Sequence, residues 1–330
     1  MAGATVANGV IASSSGAADR RSAAVRIKGK NNMSIKQVGV IGTGAMGLGI
    51  TQVCAQSGFA VTAVKATPGS WERAKATIEG GLAKAVERGK LAAEDRDKTL
   101  SLITFSADEH AVAGCDLVIE SIIEDLETKK ALFRRLEHVC RPDAILATNT
   151  STLSVTAMMA VCKHRDRIAG LHFFNPAPVM KLVEIIHAFE TSDGTIEALD
   201  VFCKAIGKDP VIVQDTTGFI VNRLLTPYML NAIRMLERGT GTIESIDHAM
   251  KSGAAHPMGP FELADYIGLD VVEAMAHNIF EDVRAEHHAP PHTLTRLVQL
   301  GYLGRKTGKG FYDYSKKPAV QNPALMRPVV

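Results

Sequence analysis

The chain has 330 residues, of which 46% are hydrophobic and 22% are charged, and its formal net charge is +2. These values are ordinary for a soluble globular protein and leave room for two domains with large cores. The body of the chain contains no basic block, which argues against nucleic acid as the main partner. No run approaches the roughly 18 consecutive apolar residues of a membrane helix, so we expect no membrane insertion.

The spacing of cysteine and histidine gives no sign of a metal site or of disulfide pairing. No CxxC, HExxH or Cys/His cluster occurs, so we expect no metal. An odd number of scattered cysteines is typical of reduced thiols in a cytosol or an organelle matrix. The five cysteines are Cys54, Cys115, Cys140, Cys162 and Cys203.

The first 33 residues are rich in Ala, Ser and Gly and contain five basic residues but only one acid, Asp19. This composition suits an organelle transit peptide. It equally suits an artificial leader or an upstream start, because Met33 directly precedes the first predicted strand. We expect residues 1–34 to form a disordered leader and 316–330, with three prolines, to form a disordered tail. We expect the protein in the cytoplasm, or in an organelle matrix if 1–33 is a transit peptide.

Residues 35–216 alternate between short apolar stretches, which predict strands, and amphipathic stretches, which predict helices. Such alternation indicates a parallel, doubly wound sheet. The predicted strands cover 38–41, 59–64, 115–122, 144–151, 167–174, 181–186 and 210–218. The predicted helices are one that ends at Gly58 and others over 70–90, 92–103 and 124–140.

Beyond about residue 217 the apolar residues recur every three to four positions, which is the period of an amphipathic helix. We therefore predict an α/β fold in which a Rossmann-like, doubly wound, mostly parallel sheet domain (35–216) precedes an all-α domain (217–315). The predicted helices of the second domain cover 218–239, 242–253, 259–283 and 292–301.

Three glycines between the first predicted strand and helix form a GxGxxG pattern: Gly42, Gly44 and Gly47. Glycines in this position allow a tight turn and a close approach of the backbone to a pyrophosphate. The amino terminus of the following helix stabilises the negative charge of that group. The strand–turn–helix context therefore predicts a dinucleotide site.

The end of the second strand holds Lys65, where dinucleotide-binding folds place an acid for the ribose 2′-hydroxyl. No acid follows in the sequence before Glu72. A cation would suit a 2′-phosphate, which gives a slight lean toward NADP. A solvated lysine beside bound NAD is the alternative.

The apolar segment from Gly170 to Ile186 contains His172 and Glu184. Burying a carboxylate costs several kcal/mol unless a partner compensates it. Two short strands joined by the segment NPAPVM would bring the pair face to face. The carboxylate would fix the imidazole tautomer, so that the other ring nitrogen takes a substrate proton. A purely structural pair in a core is the alternative.

From about Lys36 to Tyr314 the chain resembles the L-3-hydroxyacyl-CoA dehydrogenase family, specifically its 3-hydroxybutyryl-CoA dehydrogenase type. The resemblance extends over both predicted domains, with its segments in order. These are VGVIGTGAMGLGI, DLVIESIIEDLETKKALF, ATNTSTLSV, GLHFFNPAPVMKLVEII, GFIVNRLL, HPMGPFELADYIGLD and GRKTGKGFYDY.

The resemblance implies a catalytic role for four residues. His172 would be the general base for the 3-hydroxyl proton, and Glu184 would orient it. Ser151 and Asn222 would hydrogen-bond the reacting oxygen or the imidazole, where fixed donors stabilise developing charge. Less specific roles, a strand end for Ser151 and a helix-end hydrogen bond for Asn222, are the alternatives.

The same resemblance implies further contacts to ligands. Besides the glycines, Lys65 and Ser151, the residues implied to contact the nicotinamide cofactor are Glu124, Lys129, Asn175 and Lys306. Arg88 lies where the family places a basic residue toward coenzyme A, whereas Gly81 lacks a hydroxyl found there in relatives. Ser151 would also bind the substrate. Arg88 can equally belong to a solvated face.

The expected reaction is the reversible NAD(P)-dependent oxidation of a short-chain L-3-hydroxyacyl-CoA to the 3-oxoacyl-CoA, by a homodimer joined through the helical domain. One alternative is a related dehydrogenase acting on a hydroxy acid or a sugar acid. However, the 3-hydroxyisobutyrate type uses a lysine, whereas this chain supplies His172 and Glu184. The other alternative is a cofactor-binding protein without enzymatic activity.

Overall fold

The structure, a computed structural model, describes residues 35–67 and 69–325. The predicted disordered leader, 1–34, lies outside the described residues. No helix within the described ranges is long and apolar enough to cross a membrane.

Eight strands form one sheet, in the order β3-β2-β1-β4-β5-β6-β7-β8. Strands β1 to β6 are parallel, whereas β7 runs antiparallel to β6 and parallel to β8. The predicted doubly wound, mostly parallel sheet is therefore confirmed. The strands are β1 Gln37–Ile41, β2 Ala60–Val64, β3 Ile103–Ser106, β4 Leu117–Glu120, β5 Ile145–Thr148, β6 Ile168–Phe173, β7 Leu182–His187 and β8 Asp209–Gln214.

Helices cover both faces of this sheet. Every residue of β4, β5 and β6 is buried, as expected for parallel strands with two covered faces. Ile50 and Leu199 pack on one face, and Phe133 and Met158 on the other. The helices are α1 Ala45–Gln56, α2 Glu72–Glu87, α3 Ala93–Ser101, α4 Leu126–Val139, α5 Val155–Met159 and α6 Asp193–Ala205.

The second part of the chain is helical, as predicted. Its core surrounds Phe261 and Leu230, both fully buried. The helices are α7 Val221–Glu237, α8 Ile243–Gly253, α9 Pro260–Ile267, α10 Leu269–Val283 and α11 His292–Gln299.

Two of the predicted helices are divided differently in the structure. The helix predicted over 92–103 ends at Ser101, and Ile103–Ser106 forms the edge strand β3. The single helix predicted over 259–283 is two helices, because Gly268 adopts a φ of +107° between them. A residue with a side chain rarely adopts that backbone conformation.

The prediction of a disordered tail over 316–330 is wrong for 316–325, and its last part, 326–330, lies outside the described residues. Residues Val320–Gln321 pair with Tyr312–Asp313 as two short antiparallel strands, β10 and β9. The Asn322 amide is fully buried and donates to the carbonyl of Gly310. A polar side chain satisfied by backbone carries no apolar period, so the sequence did not reveal this contact.

Candidate active site

The glycine turn between β1 and α1 has the geometry that a pyrophosphate requires. Gly42 has a φ of +112°, and a Cβ atom at Gly47 would overlap the carbonyl oxygen of Gly42. Gly44 precedes α1 without a side-chain cap, so no capping side chain occupies the first N–H groups of the helix. The order of strands reverses at β1, and ligands of such sheets bind outside the strand ends at that point. These residues fit a dinucleotide cofactor.

His172 and Glu184 face each other across strands β6 and β7, where they are paired in register. His172 Nδ1 lies 2.8 Å from Glu184 Oε2, and both residues are buried, at 5% and 1% exposure. When the carboxylate accepts a hydrogen bond from the Nδ1–H group, the Nε2 atom is left to exchange a proton with a substrate. The rings of Phe174 and Phe219 lie 4.6 and 5.6 Å from the imidazole and limit its contact with water.

The buried charge of Glu184 is also compensated by the start of the helical part of the chain. Its Oε1 atom accepts hydrogen bonds from the backbone N–H groups of Ile220 (3.1 Å) and Val221 (3.0 Å). These groups lie at the amino terminus of α7, which carries a partial positive charge. The sequence predicted the pairing of Glu184 with His172 but not this second contact. The residues that donate to Glu184 here follow it in the sequence by 36 and 37 positions.

Ser151 and Asn222 lie close together. Ser151 follows β5, and Asn222 lies in the first turn of α7, with its Nδ2 atom 3.5 Å from the carbonyl oxygen of Ser151. Asn278 of α10 donates to Thr152 Oγ1 at 2.8 Å. Two helices of the second domain therefore contact the loop that carries Ser151.

Glu124 binds the Ser151 loop. Its Oε1 atom accepts from the N–H of Ser151 at 2.9 Å and from the hydroxyl of Thr150. Its other oxygen lies 3.4 Å from the Lys129 ammonium. Burial alone would raise the pKa of Glu124, but the Lys129 charge and these hydrogen bonds outweigh it and lower that pKa. Glu124 therefore remains an ionised acceptor.

The remaining predicted contact residues lie at different depths. Lys129 is 1% exposed, so its implied contact with the cofactor stays a prediction. Asn175 is exposed on the loop after β6. This loop lies close to α1, as a Cβ atom built at Gly49 would be only 3.1 Å from the Cβ atom of Ala177. The Lys65 ammonium donates to Thr67 at the end of β2.

The last two residues predicted to contact ligands are Arg88 and Lys306. Arg88 is exposed at the carboxyl end of α2. The Lys306 ammonium binds the Asp270 carboxylate at 2.5 Å. Asp270 lies eight residues before Asn278, the α10 residue that contacts the Ser151 loop, which corresponds to about 12 Å along the helix. The roles of Arg88 and Lys306 in ligand binding stay predictions.

One positioning residue was missed in the sequence. Asn149 follows β5 and accepts, through Oδ1, the backbone N–H of Phe173 at 2.8 Å. Its Nδ2 atom donates to the hydroxyl of Ser121 at 3.3 Å. It therefore ties the residue after His172 to the ends of two neighbouring strands. The ATNTSTLSV segment contains it, but only the contact across the sheet reveals its function.

A carboxylate-supported histidine that can exchange a proton, at the same end of the sheet as a dinucleotide turn, is typical of a nicotinamide-dependent dehydrogenase. The chain belongs to the 3-hydroxyacyl-CoA dehydrogenase family. The family's NAD binding domain matches residues 37–216, and its C-terminal domain matches 218–314.

Individual relatives support this membership over most of the chain. The 3-hydroxybutyryl-CoA dehydrogenase of Mycobacterium tuberculosis is 41% identical over 283 residues, covering 85% of this chain and 99% of its own. The human mitochondrial hydroxyacyl-coenzyme A dehydrogenase is 47% identical over 287 residues, covering 85% and 91%. The crystal structure of (S)-3-hydroxybutyryl-CoA dehydrogenase from Ralstonia eutropha has a TM-score of 0.83 at 38% identity, covering 86% and 100%.

Proposed function

We propose that the protein catalyses the reversible NAD(P)-dependent oxidation of a short-chain L-3-hydroxyacyl-CoA to the 3-oxoacyl-CoA. The observation that carries this proposal is the 2.8 Å contact between His172 Nδ1 and Glu184 Oε2. This contact lies at the end of the sheet where the parallel strands finish. The glycine turn lies at the same end of the sheet. The related proteins named above act on hydroxyacyl thioesters by their names, which supports the substrate class.

In the oxidative direction, His172 Nε2 takes the proton of the substrate 3-hydroxyl group. A nicotinamide cofactor, held by the glycine turn, would accept the hydride that leaves C3. Glu184 stabilises the imidazolium that forms. The Ser151 hydroxyl, which donates to Glu124 at 3.3 Å in this structure, turns to donate to the oxygen as it becomes a carbonyl. In the reductive direction, the imidazolium returns the proton to that oxygen.

The test compares the rate of turnover of acetoacetyl-CoA with that of free acetoacetate. The absorbance of the reduced nicotinamide cofactor measures both rates. We expect turnover of the thioester and little turnover of the free acid. Turnover of the free acid alone would favour a hydroxy-acid dehydrogenase, and no turnover of either would favour a binding protein. A series of acyl chains from C4 to C16 then measures the chain-length preference.

The cofactor preference is a separate proposal that rests on Lys65. Its ammonium lies at the end of β2, 2.9 Å from the carbonyl oxygen and 3.0 Å from the hydroxyl of Thr67. A cation at this place can pair with a 2′-phosphate, and an acid there would bind the ribose hydroxyl instead. We propose that Lys65 allows the enzyme to use NADP.

Replacing Lys65 with aspartate should lower kcat/KM for NADPH by about tenfold or more, since a carboxylate repels the 2′-phosphate. The value for NADH should stay the same or rise. Lys75→Asp on α2, whose side chain is half exposed and lies 3.8 Å from Glu79, is the control. A native preference for NADH of about tenfold or more would contradict the NADP proposal.

We also propose that a second copy of the chain covers an exposed apolar stripe on α7, which consists of Ile220, Leu224 and Met235. These side chains are 44%, 68% and 41% exposed and share one face of the helix by their spacing. The stripe continues into a groove of about 330 Å³ between α7 and α8. Apolar side chains that line this groove include Tyr228, Ile246, Met250 and Pro260.

Replacing Leu224 and Met235 together with glutamate should convert the dimer into a monomer, because the charges would be buried unpaired at the interface. Light scattering coupled to size-exclusion chromatography measures the molar mass. Phe189→Glu, at an 86% exposed apolar residue after β7, should leave the mass unchanged. A native protein that is already monomeric would refute the proposed interface.

A further inference from the structure

Glu120, the last residue of β4, is fully buried and is bound by three donors. Its Oε1 atom accepts from the N–H of Ile122 and from the Lys129 ammonium, both at 2.6 Å. Its Oε2 atom accepts from the hydroxyl of Thr148 at 2.7 Å. These three donors compensate the cost of burying the carboxylate.

Lys129 connects this carboxylate to the active site. Its ammonium lies 2.6 Å from Glu120 and 3.4 Å from Glu124, and the side chain is 1% exposed. The shorter distance shows that Glu120 is the stronger partner. A buried ammonium must remain paired, because an unpaired buried charge costs several kcal/mol.

Glu124 in turn holds Ser151, because its Oε1 atom accepts from the Ser151 N–H group at 2.9 Å and from the Ser151 hydroxyl at 3.3 Å. If Glu120 lost its charge, the Lys129 ammonium would move toward its remaining carboxylate. Glu124 would then turn from the Ser151 N–H group toward the ammonium. The orientation of Ser151 therefore depends on a charge that lies two side chains away.

We propose that Glu120 is a positioning residue for the reaction, and that it acts through Lys129 and Glu124 on Ser151. It keeps the ammonium close to β4, so that the Glu124 carboxylate is free to hold the Ser151 loop. This inference rests on the proposed function, in which the Ser151 hydroxyl donates to the reacting oxygen.

A double-mutant cycle tests the inference. Glu120→Gln should lower kcat by about tenfold, in the range of other residues that orient a reacting group indirectly. The KM for acetoacetyl-CoA should change by less than about twofold. In a Ser151→Ala background, Glu120→Gln should lower kcat no further, because the group on which it acts is gone. If each substitution lowered kcat by its own factor and the two factors multiplied in the double variant, the inference would be overturned. A native kcat in Glu120→Gln would overturn it as well.

Milder variants keep the test valid if Glu120→Gln fails to fold. Thr148→Val removes one donor to Glu120 at constant shape, and Thr148→Ser keeps the hydroxyl. We expect a reduced kcat in the first and a native kcat in the second; equal values in both would overturn the inference.

A matched control is Asp247→Asn in the helical part, since Asp247 is also a buried carboxylate, at 1% exposure, and accepts hydrogen bonds from the N–H of Phe261 and the hydroxyl of Tyr312. Its kcat should stay native, and an equal loss there would overturn the specific role of Glu120. A native kcat in Ser151→Ala would refute the role of Ser151 in the proposed function, and this inference with it. Multiplicative losses would refute only the inference.

Discussion

Replacing His172 with alanine should lower kcat by about 10²- to 10⁴-fold, the usual contribution of a general base. The imidazole is the group that can move the hydroxyl proton at neutral pH, and Glu184 holds it at 2.8 Å in the tautomer that leaves Nε2 free. The glycine turn does not involve this side chain. The Kd for NADH, measured by fluorescence titration, should therefore change by less than about twofold.

The control for this variant is His187→Ala, at the end of β7, whose side chain is 27% exposed and lies 4.0 Å from Asp193. Its kcat should match the native value. Turnover at the native rate in His172→Ala would remove histidine from the mechanism, whereas a large rise in the Kd for NADH would mean that the loss concerns cofactor binding.

Glu184→Gln should have the second largest effect, a fall in kcat for oxidation of about 10²- to 10⁴-fold. The glutamine oxygen would keep the hydrogen bonds to the N–H groups of Ile220 and Val221. The NH₂ group of the glutamine side chain would then face His172 Nδ1 and donate a hydrogen bond to it. The ring proton would move to Nε2, and an Nε2–H group cannot accept the substrate proton.

Folding should be retained in Glu184→Gln, because the backbone donors at the start of α7 remain satisfied. A thermal unfolding midpoint close to the native one, together with the fall in kcat, separates the catalytic role from a structural one. Glu190→Gln is the control, since Glu190 pairs with Arg165 at the surface. Native turnover in Glu184→Gln would make the carboxylate structural only.

The class of fold and the buried ionisable pair could be predicted from the amino-acid sequence. The alternation of strands and helices is a local pattern, and the glycine turn requires glycine because Gly42 has a φ of +112°. His172 and Glu184 stand out because ionisable residues are rare in a buried apolar segment. Antiparallel pairing across a short connection made their contact foreseeable from spacing alone.

Other features could be located only in the folded chain, because they depend on residues that are distant in sequence. The edge strand β3 is only partly buried, so its apolar pattern is weak, and its pairing with β2 decides its conformation. The second partner of Glu184 and the chain of contacts from Glu120 to Ser151 join residues from separate strands and helices. Such contacts leave no period in the sequence, because burial and hydrogen bonding across the fold, rather than local propensity, select them.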